Sequence, residues 1–271
     1  MPMRISIVTL SFNQGRFLER ALRSVIAQRD RVDLEYIVVD PGSTDGSRDI
    51  IAAHSAGIDR VLLEPDRGPA DGLNKGFAVS SGEVLGYLNA DDLLLTGALR
   101  QVVDEFAARP GSDVLYGHGL LIDENDTTLR RCWSDRYSLR MAARGLSFIM
   151  QPSTFFRREA FVRTGGFNVG NRIAWDAELL LDLALAGASI DRVEHLWSAF
   201  RLHAEGITGS GAHLGAHAAY LRRAFDRVHG REPGRIDAIA SLPLRLLKHA
   251  LHPRAAIERW RYGPVAGRSA D

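Results

Sequence analysis

Cysteine is nearly absent. Cys132 stands alone in 271 residues, so the chain closes no internal disulfide and has no thiolate cluster for zinc. A reducing, cytosolic setting is the expectation that follows. Long apolar runs are missing too: no stretch approaches the roughly 18 consecutive apolar residues of a membrane span. The opening Met1-Pro2-Met3-Arg4-Ile5-Ser6 also lacks the apolar core of a secretory signal. Net charge is small, formally +1, and no nucleic-acid partner is expected. That balance hides an asymmetry, because residues 210–271 hold eleven Lys and Arg against five Asp and Glu. A basic tail thus follows an acidic body. Two phosphate-binding patterns are absent as well. There is no Gly-x-x-x-x-Gly-Lys-Ser/Thr, and no Gly-x-Gly-x-x-Gly follows the first apolar run, which disfavours P-loop ATPases and Rossmann dehydrogenases.

What is present alternates. Ile5 to Leu10 reads as a strand, and Phe17, Leu18, Ala21, Leu22, Val25 and Ile26 form a helical stripe. Tyr36 to Val39 reads as a second strand, a helix through Ile50 and Ile51 follows, and Val61 to Leu63 is a short third strand. Strands alternating with helices on short loops predict an α/β fold, whose ligand site lies beyond the carboxyl ends of the strands. With 45% hydrophobic residues the chain has enough apolar material for one large α/β domain with an appendage.

Two acidic sites fall on that edge. Leu85-Gly86-Tyr87-Leu88-Asn89-Ala90 runs straight into Asp91-Asp92, and carboxylates there can hold Mg²⁺ or Mn²⁺ together with substrate phosphates. An acidic pair after a strand also serves as a turn former or helix cap. Asp40 ends the second strand, and Pro41 biases it towards extended angles. Its carboxylate can accept bonds from a base or ribose, or simply begin a turn over Gly42. Between them, residues 64–76 are dense in glycine and charge, and Arg67, Lys75 and a helix N-terminus could face phosphate.

Four ordered motifs resemble those of family 2 glycosyltransferases with the GT-A fold: Thr9-Leu10-Ser11-Phe12-Asn13, Val38 to Gly46, Asp66-Arg67-Gly68 with Asp71 to Gly76, and Leu88-Asn89-Ala90-Asp91-Asp92. The resemblance runs from about residue 4 to about residue 208. It implies a mixed, mostly parallel sheet flanked by helices, a nucleotide-diphosphate-sugar donor, a divalent metal and inversion at the anomeric carbon. It places Thr9, Ser11, Asn13, Asp40, Asp45, Arg67, Asp71, Asn74, Lys75, Asn89 and Asp91 at the nucleotide-sugar. Thr9 and Ser11 would edge the base pocket. Asn89 stands where the family usually has the first acid of Asp-x-Asp, so Asp91 is the implied protein ligand of the metal and Asp92 its support. Gln151 to Arg158 and Gly165 to Asn168 resemble the segments that frame the acceptor. In Trp175-Asp176-Ala177-Glu178, Asp176 resembles the general base. A first-turn acid stabilising the helix dipole is the plain alternative, and Glu178 is the second candidate base. Arg201 to Thr208 resembles a loop that closes over the diphosphate, with His203 as a metal ligand and Arg201 as a phosphate contact.

The implied organisation is a GT-A domain over residues 1–209, with a donor half to about residue 95 and an acceptor half beyond it, followed by a basic helical extension over 210–271. The acceptor class is a glycan or lipid-linked glycan, common among small enzymes of this pattern. A metal-dependent nucleotidyltransferase and a non-catalytic sugar-nucleotide binding module are the competing readings. In the extension, Leu214, Ala218, Leu221, Phe225 and Val228 predict a helix packed on the body. Residues 240–262 mix leucines, aromatics and cations in a way that suits a peripheral contact with the inner, anionic face of a membrane, a docked helix or a dimer contact. Pro243 and Pro253 are expected to interrupt any long amphipathic surface there.

Overall fold

A computed structural model describes residues 3–204 and 214–263. The chain opens with β1 (Ile5–Leu10), α1 (Gly15–Ile26), β2 (Leu34–Val39), α2 (Ser47–Ala53), β3 (Arg60–Leu62), α3 (Pro69–Ala78) and β4 (Val84–Asn89). Strands β1, β2 and β4 are apolar along nearly their whole length because helices cover the sheet on both faces. They pair in parallel in the order β3-β2-β1-β4. Leu10 lies opposite both Val39 and Asn89, so Ser11, Asp40 and Ala90-Asp91 leave the sheet side by side on one edge.

The second half supplies β5 (Leu93–Leu94), α4 (Ala98–Ala108), β6 (Val114–Ile122), β7 (Thr128–Cys132), α5 (Leu139–Ala142), β8 (Thr154–Arg157), α6 (Arg158–Thr164), α7 (Trp175–Leu185) and β9 (Ile190–Arg201). Here the sheet becomes mixed. Strand β8 is antiparallel to both β4 and β6, β6 is parallel to β9, and β7 adds antiparallel to β6. The parallel β6–β9 pair carries Arg201 and the residues after it to the same edge as Asp91.

Packing on the two faces differs. One face buries Leu18, Leu22, Val102, Phe106 and Trp197 beneath α1 and α4. The other is aromatic, with Phe77, Phe156, Phe161, Phe167 and Trp175 gathered beneath α3, α6 and α7. Gly72 and Gly76 let α3 lie directly on the sheet: a Cβ on Gly76 would come within 2.6 Å of Val8 Cγ1. Their closeness serves this helix–strand contact rather than an approach to phosphate.

Three helices follow: α8 (Leu214–His229), α9 (Arg235–Leu251) and α10 (Pro253–Tyr262). Helix α8 packs on the body against Leu181 and Ala174, and Leu221, Phe225 and Val228 of the expected stripe take part, but Ala218 is exposed and the buried face is turned towards Tyr220 and Ala224. The expected interruption by proline is seen at Pro253, where the chain breaks at His252 between α9 and α10, but not at Pro243. Pro243 lies inside α9, where it forfeits one backbone hydrogen bond without ending the helix, and Pro253 takes the first position of α10, where its fixed φ suits a helix start. The expected boundary at residues 209 and 210, the loop residues Glu205 to Thr208 and the tail after Gly263 lie outside the described residues.

Candidate active site

The strand edge opens into a cavity of about 770 Å³, lined by Ser11, Phe12 and Gln14 after β1, by Asp66 to Pro69 before α3, by Asn89 and Asp91 after β4, by Gln151, by Arg172 to Asp176, and by Phe200 to His203. Every segment that the motifs singled out contributes to this one wall except Gly165 to Asn168, with Val38 to Gly46 represented by Pro41 alone. The individual residues divide into those that face the cavity and those that hold its walls.

Asp91 is at the centre of the first group. Its Oδ2 accepts a hydrogen bond from Gln14 Nε2 at 3.1 Å and lies 3.0 Å from His203 Nε2, while Oδ1 is buried with no partner among the described residues. An orphaned carboxylate oxygen beside an imidazole is a donor set that a hard divalent cation can use. Among the described residues no group of three or more His, Cys, Asp and Glu side chains gathers, so this set would offer a cation two protein ligands. Asn89 donates to Gln151 Oε1 at 3.2 Å on the same wall.

Asp92 does not line the cavity. It is fully buried, and one oxygen accepts the Arg201 backbone N–H at 3.0 Å. Burial, followed by the neighbouring charge of Asp91, pushes its carboxyl well above the usual carboxylate range. Arg201 is likewise committed. Its guanidinium donates to the carbonyls of Asp91 and Asp123 at 2.8 Å, pairs with Asp126, and lies over the Phe17 ring, with only its edge at the cavity. Its bonds fix the turn carrying Asp91 to the end of β9.

Asp176, also on the cavity wall, sits in the first turn of α7. Burial raises its pKa, opposed by its own and Ala177's backbone N–H groups and by His217. Glu178 is two residues on but turned away: it is buried, accepts Asn168 Nδ2 at 3.1 Å and Asn171 Nδ2 at 2.5 Å, and braces the loop before the helix. Of the two carboxylates, Asp176 lines the cavity and Glu178 does not.

At the end of β2, Asp40 is inaccessible to solvent. Its Oδ2 accepts Ser11 Oγ at 2.9 Å, while Oδ1 accepts the backbone N–H of Gly42 and Ser43 and the Arg48 guanidinium. Burial works to raise its pKa, but these hydrogen bonds overcome it and hold the carboxyl below its ordinary value. Thr9 lies behind the site, its hydroxyl 2.9 Å from Tyr36 OH. Asn13 and Asp45 staple neighbouring loops: Asn13 Oδ1 accepts the Thr44 N–H, and Asp45 accepts the Gly15 N–H and the Ser47 hydroxyl. Near α3, Asp71 accepts from Arg67, Lys75 Nζ donates to Pro65 O, and Asn74 bonds both backbone groups of Phe167. Of these, Arg67 alone faces the cavity, with the N-terminal turn of α3 behind it.

Sequence reasoning did not single out Phe12, Gln14, Gln151, Arg172 or Arg48. Gln14 and Phe12 adjoin Asn13, and Gln151 opens a quoted segment, so position in the motif was their available signal. Arg172 and Arg48 carry none, because the fold alone brings them to the donor edge.

The family profile described as Glycosyl transferase family 2 matches residues 6–165. An uncharacterized glycosyltransferase of Mycobacterium tuberculosis is 31% identical over 232 residues, 84% of this chain and 85% of that protein. One from Nostoc is 36% identical over 130 residues, 47% of this chain but only 40% of the relative. A Campylobacter jejuni protein, GalNAc(5)-diNAcBac-PP-undecaprenol beta-1,3-glucosyltransferase, is 32% identical over 130 residues, 46% of this chain and 41% of its own length. Among solved structures, S. aureus TarS 1-349 in complex with UDP-GlcNAc matches with TM-score 0.67 and 15% identity over 96% of this chain and 73% of that one. The mannosyltransferase PcManGT from Pyrobaculum calidifontis, in complex with GDP-Man and Mn²⁺, matches with TM-score 0.64 and 21% identity over 98% of this chain and 77% of that one. These two likenesses establish the GT-A fold.

Proposed function

The chain belongs to glycosyltransferase family 2, and from that premise we propose that it transfers a sugar, with inversion and metal assistance, from a nucleotide diphosphate to a hydroxyl of a glycan or lipid-linked glycan. The observation that carries this reading is the arrival of Asp91 with His203, and of Asp176, from separate segments on the wall of one cavity. A single displacement needs that division. The base draws the acceptor proton on one side of the sugar while the diphosphate departs on the other.

In that step the Asp176 carboxylate takes the proton of the attacking hydroxyl. The acceptor oxygen bonds the anomeric carbon as the bond to the diphosphate oxygen breaks, and the nucleoside diphosphate leaves with the electron pair. Arg67, Arg172 and the N-terminus of α3 lie on the cavity wall as positive ends for that charge. Asp91 and His203 would hold Mg²⁺ or Mn²⁺, which when bound neutralises charge on the leaving group. Ser11 and Asp40 would shape the base and ribose end, with Phe12, 58% exposed in the cavity, offering a ring for the base.

The acceptor class is supported by the Campylobacter relative, whose name specifies an undecaprenyl-diphosphate-linked saccharide. The two structural neighbours carry different nucleotides, so their likeness fixes neither base nor sugar. Calorimetric titration of UDP, GDP, dTDP and CDP with and without Mn²⁺ tests the reading. One diphosphate is expected to bind in a metal-dependent way. Incubation of its sugar conjugates with polyprenyl-diphosphate-linked saccharides is then expected to give a product of anomeric configuration opposite to the donor's. A product of the same configuration refutes inversion, and binding of no diphosphate by folded protein refutes the transferase assignment.

A further inference from the structure

Helices α9 and α10 are amphipathic in the inverted sense. A helix on a water-soluble body ordinarily turns its apolar stripe inward and its charges outward. Among the described side chains, the inward residues of α9 are Asp237, Ser241, Leu244 and Lys248, polar but for Leu244, and those of α10 are Ala255, Ala256, Glu258 and Arg259. Polar bonds anchor both helices. Lys248 Nζ reaches Asp135 Oδ2 at 2.8 Å and Arg259 Nη1 reaches Asp135 Oδ1 at 3.1 Å, while Glu258 pairs with the buried Arg130 of β7. Since both helices turn their inner faces to the same buried carboxylate, their outer faces both point away from the body.

Those outer faces are apolar. Ile236, Leu246, Leu247 and Leu251 on α9 and Ile257 and Trp260 on α10 are exposed, Ile236 by 80% and Trp260 by 88%. On α9, Ile236, Ala240, Pro243 and Leu247 are all exposed and recur at helical spacing, so they form one stripe through the proline. The exposed charge on the same two helices is of one sign: Arg235, Arg245, Arg254 and Arg261 lie at the surface, whereas both acids, Asp237 and Glu258, are buried and paired with arginine.

We propose that this face of α9–α10 docks the protein onto an anionic lipid surface, with the leucines and Trp260 entering the headgroup boundary and the arginines meeting lipid phosphates. Charge decides between this occupant and a second copy of the chain. A symmetric pairing through the same face would set arginines against arginines, whereas an anionic bilayer complements both the apolar stripe and its flanks. The anchor also orients the catalytic domain. Strand β7 carries Arg130 beside the C-terminal end of β6, and Leu202, next to His203, donates its N–H to Ile122 at that end. The helices that would meet the bilayer are therefore fixed to the strand pair whose end leads into Leu202 and His203 at the cavity.

The test uses the full chain and vesicles of phosphatidylcholine with and without phosphatidylglycerol, at low and high salt, with neither donor nor acceptor. Failure here thus stays separate from failure of the transferase assignment. Binding is expected to require phosphatidylglycerol and to weaken with salt, and the double change Leu246→Asp with Leu247→Asp is expected to lower it on the order of tenfold or more at an unchanged melting temperature. Trp133 lies under Arg254 of α10 whereas Trp175 and Trp197 are buried in the body, so brominated acyl chains are expected to quench tryptophan emission in a Trp133→Phe background and much less when Trp260→Phe is added. Three outcomes overturn the proposal: no vesicle binding at low salt, binding indifferent to phosphatidylglycerol, or a dimer in light scattering that Leu247→Asp dissolves while vesicles bind neither form.

Discussion

Replacing Asp176 by asparagine separates catalysis from binding more cleanly than any other single change. Asparagine keeps the side-chain shape, and the first-turn N–H groups that the carboxylate accepts still find an oxygen. What is lost is the proton acceptor. General-base catalysis contributes about 10²- to 10⁴-fold, or roughly 3–5 kcal/mol of barrier, so kcat is expected to fall by that factor while metal-dependent affinity for the nucleoside diphosphate stays within about twofold. The pH profile gives an independent reading. Burial raises the Asp176 pKa, so the ionised, active form appears only as pH rises through a value above the ordinary carboxylate range, and native activity should show an acid limb there. The mutant's residual rate should lack that limb. The sign for stability is opposite to that of a paired carboxylate. A raised folded-state pKa favours folding at acid pH and loses that contribution as pH rises through it, so the ionised group is a cost at neutral pH. Asp176→Asn should consequently melt no lower than the native protein. The assay is nucleoside-diphosphate release with saturating acceptor, alongside calorimetry and a thermal melt. A kcat within threefold of native in a folded mutant, or an unchanged acid limb, refutes Asp176 as the base.

Three further expectations follow from the same geometry. Asp91→Asn and His203→Ala should each weaken Mn²⁺-dependent nucleotide binding on the order of 10- to 100-fold while leaving metal-free binding unaltered, read by calorimetry; equal metal-dependent affinity removes the residue from the metal site. Asp40→Asn removes the charge of a buried carboxylate from its pair with the half-exposed Arg48 and weakens the bonds from Ser11, Gly42 and Ser43, which should cost about 1–3 kcal/mol at neutral pH. Because its folded pKa is lowered, that contribution is present above the ordinary carboxylate pKa and is lost as pH falls through the folded value, so melts of mutant and native protein should converge in acid. Asp135→Ala leaves Lys248 and Arg259 without their shared partner, which should destabilise the α9–α10 attachment by about 3 kcal/mol and expose residues 235–263 to limited proteolysis while the catalytic body resists; an unchanged digestion pattern contradicts the anchor.

Local signals in the chain were enough for the donor half. Apolar runs ending at Leu10, Val39 and Asn89 could be read directly, and parallel pairing then obliges their following residues to share an edge. The direction in which a side chain points was not readable, since it depends on what tertiary packing brings opposite. Arg48 reaches Asp40 only because α2 folds back beside β2, and Asn74 turns to Phe167, 93 residues on, because the second half of the chain closes over α3. The C-terminal helices show the same limit. Leucines at helical spacing ordinarily mean an inward face, and only the two cations meeting at Asp135 reverse that assignment.

This division explains why the motifs recur as blocks rather than as isolated ligands. Thr9, Asn13, Asp45, Asp71 and Asn74 stand in the motifs but bond to protein: Thr9 ties β1 to β2, Asn74 ties α3 to Phe167, and Asn13, Asp45 and Asp71 fix the loops that follow β1 and precede α3. A site that must hold a nucleotide, a metal and an attacking hydroxyl to within a fraction of an ångström needs such supports as much as it needs ligands. The same reasoning bears on Asn89. Its amide occupies a place where the family usually has an acid, yet it bonds Gln151 across the strand edge, so the loss of one charge there leaves the wall intact and Asp91 free to act with His203. Restoring the charge with Asn89→Asp should therefore tighten Mn²⁺-dependent nucleotide binding without moving the strand, and weaker binding in a variant that melts like the native protein would show that the amide itself contacts the donor.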